Sequence, residues 1–306
     1  MSTAFLTHPA CARHDMGPGH PEGPARLAAV RDALIARGLF DFLQHHEAPR
    51  ATRAQLERVH GAGHVDYIFG LAPDEGVEFI DGDTLMTPAT LEAALRAAGA
   101  LVAATDLVLA GAVRRAFCSV RPPGHNAERH RAMGFCFVNN VAVVAAHALA
   151  AGLGRVAILD FDVHHGNGTE DIFADDPRVL VCSSFQHPFY PGTARPTVPG
   201  HLVNTPLPAG TGSAGFRAAI ERDWLPALAG FRPELVFVSA GFDAHRDDPL
   251  GGLELDDADY EWVTRRIVAA AADPAGGRIV SALEGGYDLE ALGRAAVAHV
   301  RVLLDA

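Results

Sequence analysis

The sequence predicts a single α/β domain over residues 1–306, in which a central, mostly parallel sheet is flanked by helices. Short runs rich in Val, Ile and Leu alternate with Ala-rich helical patterns through to the end of the chain. That alternation is typical of a doubly wound parallel sheet. The chain also shows no internal repeat and no linker, and its length suffices for one large α/β domain.

The elements follow in order from the hydrophobic pattern. Apolar periodicity predicts helices near residues 24–37, 88–111, 139–152, 213–229, 256–272 and 288–304. Short apolar runs between them predict strands near 114–120, 155–161, 178–183, 234–240 and 277–283. The Pro- and Gly-rich segments 8–24 and 184–212 are expected to be loops that shape the rim of a functional site.

Composition excludes several classes of protein. The formal net charge is −12 and every basic residue is an arginine, so nucleic-acid binding is not expected. No apolar run is long enough for a signal peptide or a membrane span. The four cysteines show no paired spacing, which disfavours structural disulfides and a thiolate zinc site and favours a cytoplasmic location. Whether the chain forms a homo-oligomer is left open.

Polar clusters follow all five predicted strands. They hold His125 and Asn126, then Asp160, Asp162 and His164, then Ser183 and Ser184, then Asp243, and finally Glu284 and Tyr287. In an open parallel sheet, ligands bind in the crevice beyond the carboxyl ends of the strands. The sequence therefore predicts a catalytic site at this edge.

Asp162, His164 and Asp243 are the candidate metal ligands. Asp162 and His164 would point the same way if the strand continued through them. Two carboxylates and one imidazole leave a position open on Zn²⁺, as in catalytic zinc sites. Fe²⁺ would accept the same ligands. The alternative is that the aspartates cap helices and the histidine fills space.

These motifs resemble those of the zinc-dependent histone deacetylase and acetylpolyamine amidohydrolase family, in its class II-like, bacterial branch. The resemblance covers nearly the whole chain and rests on RPPGHN with MGFCFVNN, DFDVHHGNGTEDIF, SSFQHPFYPGT, SAGFDAHRDDPLGG and LEGGY, in that order. It implies the arginase–deacetylase fold, with Asp162, His164 and Asp243 as zinc ligands.

The resemblance also implies the remaining site residues. Tyr287 would donate a hydrogen bond to the polarised carbonyl, and His125 would be the first of two tandem histidines, with Asp160 as its partner. A K⁺ ion would lie among Asp160, Asp162, the His164 carbonyl, Ser183 and Ser184. The substrate tunnel would include Gly134, Phe135, Tyr190, Leu250 and Gly286. Arg26 would lie at its inner end, unless it is an ordinary surface arginine of a helix.

Asn126 departs from the family, which has a second histidine here with the main proton-transfer role. A carboxamide has no titratable group near neutral pH, and losing a positioned general base typically costs ~10²–10⁴ in rate. Asn167 can still hydrogen-bond to Asn126. Three explanations remain open: His125 does the proton work, the protein binds acylated ligands without fast turnover, or Asn126 is a deliberate substitution.

The predicted function is therefore removal of an acyl (acetyl) group from an amine such as acyl-lysine or an acylated polyamine, with activity weakened or altered by Asn126. By the resemblance, Leu250 stands where polyamine-selecting relatives can carry Glu. An apolar residue there mildly favours acyl-lysine or an apolar acyl substrate over acetylated polyamines. The alternative is a non-catalytic binder of acylated ligands through the zinc tunnel. An arginase-like ureohydrolase is disfavoured, because that chemistry needs two metals and the chain offers one convincing metal set.

Overall fold

The computed structural model describes residues 2–305, which form ten strands and ten α-helices. The strands are β1 (Thr3–Thr7), β2 (Gln44–Glu47), β3 (Glu78–Phe79), β4 (Leu85–Met86), β5 (Arg115–Cys118), β6 (Val156–Asp160), β7 (Val179–Gln186), β8 (Leu202–Leu207), β9 (Leu235–Ala240) and β10 (Ile279–Leu283).

Eight of these strands form one parallel sheet in the order β2-β1-β5-β10-β9-β6-β7-β8. β3 and β4 form a separate antiparallel pair. Because every strand of the large sheet runs the same way, the carboxyl ends of β5, β10, β9, β6 and β7 lie side by side. The prediction of a single α/β domain with a mostly parallel sheet is confirmed.

The helices cover both faces of the sheet. They are α1 (Pro9–Arg13), α2 (Ala25–Ala36), α3 (Arg53–Leu56), α4 (Ala62–Leu71), α5 (Thr90–Leu109), α6 (Asn140–Ala150), α7 (Asn167–Phe173), α8 (Ser213–Phe231), α9 (Asp257–Ala271) and α10 (Leu289–Asp305). One hydrophobic core packs α5 and α6 against the sheet, and a second packs α2, α8, α9 and α10 on the other face. None of the helices within residues 2–305 combines the length and the apolar character that crossing a membrane requires.

Three strands of the sheet were not predicted. β8 lies inside segment 184–212, which was predicted to be a loop. The Pro and Gly residues around β8, and Pro206 within it, are typical of loops and weaken its strand pattern. Proline is tolerated there since β8 is an edge strand. β2, at the opposite edge, has the wholly polar sequence QHHE and carries no apolar signal. β1 (Thr3–Thr7), at the start of the chain, was not predicted either. The predicted loop 8–24 contains the short helix α1.

Candidate active site

The predicted metal ligands converge just beyond the ends of β6 and β9. One ligand atom from each of Asp162, His164 and Asp243 lies within 4.8 Å of the other two. His164 Nδ1 lies 3.0 Å from Asp162 Oδ1 and 3.1 Å from Asp243 Oδ2. Both aspartates are buried. The three side chains therefore share one site.

The backbone that carries Asp162 and His164 differs from the predicted continuous strand. β6 ends at Asp160, so Asp162 and His164 do not lie on a continuing strand. The chain turns instead: Asp162 Oδ1 accepts the backbone N–H of His164 at 2.9 Å. Asp243 Oδ1 accepts the N–H of Val163, also at 2.9 Å. These bonds leave the carboxylates oriented toward the imidazole.

The electrostatics of the three side chains fit a divalent cation. Burial and the adjacent charge of Asp162 raise the pKa of Asp243 to about 7. Burial alone would lower the pKa of His164, but the hydrogen bonds to Asp162 and Asp243 outweigh it and raise the pKa to about 10. Two buried carboxylates beside one imidazole form a set of donors that Zn²⁺ accepts, and a dication would offset their repulsion.

Two glycines that sequence reasoning did not single out make room for the carboxylates. A Cβ at Gly241 would collide with Asp162, and a Cβ at Gly285 would collide with Asp243. The signal was present in the sequence, because both glycines adjoin predicted strands within SAG and EGG. Without an assigned contact, however, the pattern did not show what approaches them.

Hydrogen bonds hold both the ring and the backbone of His125. Its Nδ1 lies 2.9 Å from Asp160 Oδ2, as the resemblance implied, and its Nε2 lies 3.8 Å from Asp162 Oδ1. Glu284 Oε2 accepts the N–H groups of Gly124 at 2.7 Å and of His125 at 3.2 Å. Glu284 is therefore a buried structural carboxylate of the site, a role that the sequence did not reveal.

Asn126 and Asn167 form the expected hydrogen bond. Asn126 Nδ2 donates to Asn167 Oδ1 at 2.9 Å and also to the backbone O of His165 at 2.8 Å. Asn167 Nδ2 donates to Glu128 Oε1 at 2.8 Å, which extends the chain of amides to a carboxylate. The site therefore keeps its shape although an amide replaces the imidazole.

Tyr287 follows β10 and lines the same cavity. Burial raises the pKa of its phenol well above the usual range, so the hydroxyl stays protonated and can donate. Its backbone N–H donates to Asp248 Oδ2 at 2.6 Å, and the ring of Phe135 meets it edge-on at 6.0 Å. Asp248 is a further residue that sequence reasoning missed.

Arg26 is not an ordinary surface arginine, because only 1% of it is exposed. Its Nε donates to the backbone O of Gly286 at 2.6 Å, and its guanidinium lies 5.0 Å from the centre of the Tyr287 ring. Its Nη1 bonds to Glu22 at 3.0 Å, and Glu22 also pairs with buried Arg121. This cluster ties the N-terminal segment to the loop that carries Tyr287.

A cavity of about 430 Å³ opens above the metal ligands. Of the predicted tunnel residues, Gly134, Phe135, Tyr190 and Leu250 line it. Gly286 does not line the cavity, whereas its neighbour Gly285 does. Sequence reasoning missed other lining residues, above all Asp83, Gln186 and Phe189. The ring of Phe189 stacks on His164 at 5.4 Å, whereas Tyr190 meets it edge-on at 6.0 Å and is 38% exposed.

The residues expected around K⁺ also lie together. Asp160 pairs in register with Ser183, and Ser183 and Ser184 are buried. The hydroxyl of Ser183 lies 3.2 Å from His165 Nδ1. The potassium ion itself remains a prediction.

Comparisons with known proteins agree with this architecture. The family model of the histone deacetylase domain matches residues 20–303. A histone deacetylase-like amidohydrolase of Pseudomonas aeruginosa is 37% identical, over 93% of this chain and 81% of its own length. Histone deacetylase 14, a chloroplastic protein of Arabidopsis thaliana, is 39% identical over 93% and 73%. The crystal structure of the HDA15 HD domain matches with a TM-score of 0.93 at 36% identity, covering 99% of this chain and 89% of that one. The chain therefore belongs to the histone deacetylase family and is a deacetylase or amidohydrolase.

Proposed function

We propose that the protein is a zinc-dependent amidohydrolase that removes an acyl group, such as acetyl, from an amine such as acyl-lysine or an acylated polyamine. The single observation that carries the proposal is the convergence of Asp162, His164 and Asp243 beside a cavity that is lined by His164, His125 and Tyr287. Family membership supports a deacetylase, and the donor set supports zinc as the metal. K⁺ among Asp160, Ser183 and Ser184 is part of the proposal.

The chemistry divides among few groups. When bound, zinc would polarise the acyl carbonyl and make a water molecule more acidic. The protonated Tyr287 hydroxyl would donate to the carbonyl oxygen as negative charge develops there. His125, with Asp160 on its Nδ1, would exchange protons with the water and the leaving amine, since Asn126 has no group that titrates near neutral pH.

The cavity walls favour a largely apolar substrate chain. Phe135, Phe189 and Leu250 supply apolar surface. Asp83 lines both this cavity and a neighbouring pocket that also contains Asp81 and Glu128. A net charge of −12 would favour cationic carriers of the acyl group over anionic ones. We place the reaction in the cytoplasm, because the four cysteines are unpaired, as is usual for proteins of a reducing compartment.

One observation favours a second candidate function. The Asn126 amide is anchored by two hydrogen bonds and contributes no general base, so the chain could hold acylated ligands through the zinc tunnel without rapid turnover. This non-catalytic binder shares every feature of the site except the hydrolytic step.

Metal analysis combined with a turnover screen tests the proposal. The purified protein should contain one zinc per chain and hydrolyse acetyl-lysine peptides or acetylated polyamines. Asp243→Asn should lose both zinc and turnover, while exposed Asp273→Asn should keep both. Ligand binding by calorimetry without any zinc-dependent turnover would establish the binder instead. A protein that neither retains zinc nor turns over substrate would refute the proposal.

A further inference from the structure

Asp248 joins two segments of the cavity wall, although it does not line the cavity itself. One segment contains Leu250 and the other contains Tyr287. Oδ1 of Asp248 accepts the backbone N–H of Leu250 at 2.9 Å. Oδ2 accepts the backbone N–H of Tyr287 at 2.6 Å and that of Asp288 at 3.2 Å. Asp248 is only 6% exposed, so one buried carboxylate serves a different wall segment with each of its oxygens.

The peptide bond before Tyr287 is held from both sides. Its N–H donates to Asp248, and its carbonyl oxygen, which belongs to Gly286, accepts from Nε of Arg26 at 2.6 Å. Gly286 has a φ of +120°, a conformation that favours glycine, and a glycine restricts the rotation of its own backbone least. The two hydrogen bonds therefore fix the plane of this peptide. That plane sets the direction in which the Tyr287 side chain leaves the backbone.

We propose that Asp248 is a positioning residue that places the Tyr287 phenol through Oδ2 and the Leu250 wall through Oδ1. The proposal rests on the proposed function, because the phenol contributes to the rate only where an acyl carbonyl is polarised in the cavity. Asp248 acts through the backbone of residues that face the cavity, without contacting the substrate. Its two effects are separable, since each passes through its own oxygen.

The chemistry of a carboxylate explains why one residue can do this. Its two oxygens accept several hydrogen bonds and donate none, so it can serve three N–H groups at once. Hydrogen bonds to an ionised group are also stronger than those between neutral groups. Misplacing a catalytic group by about 1 Å can cost on the order of 10²-fold in rate, so a shift of Tyr287 should appear in kcat. A shift of Leu250 changes only the fit of the substrate chain and should appear in KM.

The first test removes all three hydrogen bonds and asks whether the loss passes through the phenol. The assay is steady-state kinetics on an acetyl-lysine peptide, or on an acetylated polyamine if the parent hydrolyses only that. Asp248→Ala should lower kcat at least about tenfold. In a Tyr287→Phe background, where the phenol is absent, the same substitution should change the residual kcat by less than about twofold. Asp247→Asn is the matched control: its half-exposed carboxylate pairs with Arg294 at 3.0 Å, and both kcat and KM should stay within about twofold.

The second test separates the two oxygens. The side chain of Asp248→Asn has one oxygen, which should turn toward the two N–H groups of Tyr287 and Asp288 and leave its amino group against the N–H of Leu250. We therefore expect KM to rise about three- to tenfold while kcat stays within about twofold of the parent. Melting temperature and zinc content show whether each variant folds, and Asp248→Asn decides the case if the alanine variant does not.

The outcomes separate the inference from the proposed function. An equal loss of kcat from Asp248→Ala with and without the phenol would overturn the inference alone, as would an unchanged KM in Asp248→Asn. Absence of turnover by the zinc-loaded parent on both substrates would overturn the proposed function, and the inference with it.

Discussion

Replacing Asn126 with histidine should increase turnover. The imidazole would extend from the same wall, and its Nδ1–H could donate to Asn167 Oδ1, which now accepts from Asn126 at 2.9 Å. That contact would leave Nε2 facing the cavity as a base. Gly134, on the opposite side, carries no Cβ, which would lie 2.5 Å from the side-chain oxygen of Asn126.

The structure sets the size of the expected gain. A positioned general base typically contributes ~10²–10⁴ in rate. His125 is already polarised by Asp160 at 2.9 Å and supplies part of that function, so the gain in kcat can fall below the full range, and we expect it to be at least about tenfold. The hydrogen bond from residue 126 to the backbone O of His165 would be lost, which costs about 1 kcal/mol of stability.

Steady-state kinetics on an acetyl-lysine peptide, with zinc content measured in parallel, checks this prediction. Asn126→Gln is the matched control, because it enlarges the side chain without adding a titratable group. An unchanged kcat in a fully zinc-loaded Asn126→His variant would show that proton transfer does not limit the reaction, and the reasoning about residue 126 would be wrong.

Three further predictions concern charge and metal. Glu22→Gln should lower the free energy of unfolding by about 3–5 kcal/mol in denaturant titrations, because it leaves two buried arginines without their counter-charge. The half-buried Glu261→Gln should change it by less than about 1 kcal/mol. Burial lowers the pKa of His299 to about 3, so the unfolded state binds an extra proton between pH 6.5 and 3. Stability should fall by about 1.4 kcal/mol per pH unit as pH drops through this window, and His299→Gln should remove that share of the slope. Chelation should lower the melting temperature, and zinc at 1,000 times its Kd should restore about 4 kcal/mol in the parent but not in Asp243→Ala.

The sheet, and the cluster of site residues beyond the carboxyl ends of its strands, were largely predictable, because both depend on the local pattern of apolar and polar residues. β6 ends at Asp160, and the apolar run of β9 is followed three residues later by Asp243. Parallel pairing of the two strands brings these ends together. The strands of the large sheet that were not predicted are edge strands or N-terminal: β2 is polar throughout and β8 contains proline. Edge strands bury fewer side chains, so their sequences carry a weaker signal.

The supporting contacts were less predictable, because they join residues far apart in sequence. Glu284 bonds to the backbone of His125, and Arg26 bonds to the backbone of Gly286. Backbone acceptors and donors have no residue identity, so no sequence pattern marks them. Phe189 and Tyr190 show the same limit at shorter range, since only the folded loop decides which ring stacks on His164.

Through the cluster of Glu22, Arg26 and Arg121, the position of the loop that bears Tyr287 depends on the N-terminal segment of the chain. Local opening of that N-terminal segment would free the loop bearing Tyr287 while the central strands stayed paired. On gentle heating, or after limited proteolysis ahead of α2, catalytic output should therefore disappear before the far-ultraviolet dichroism of the sheet and helices begins to change.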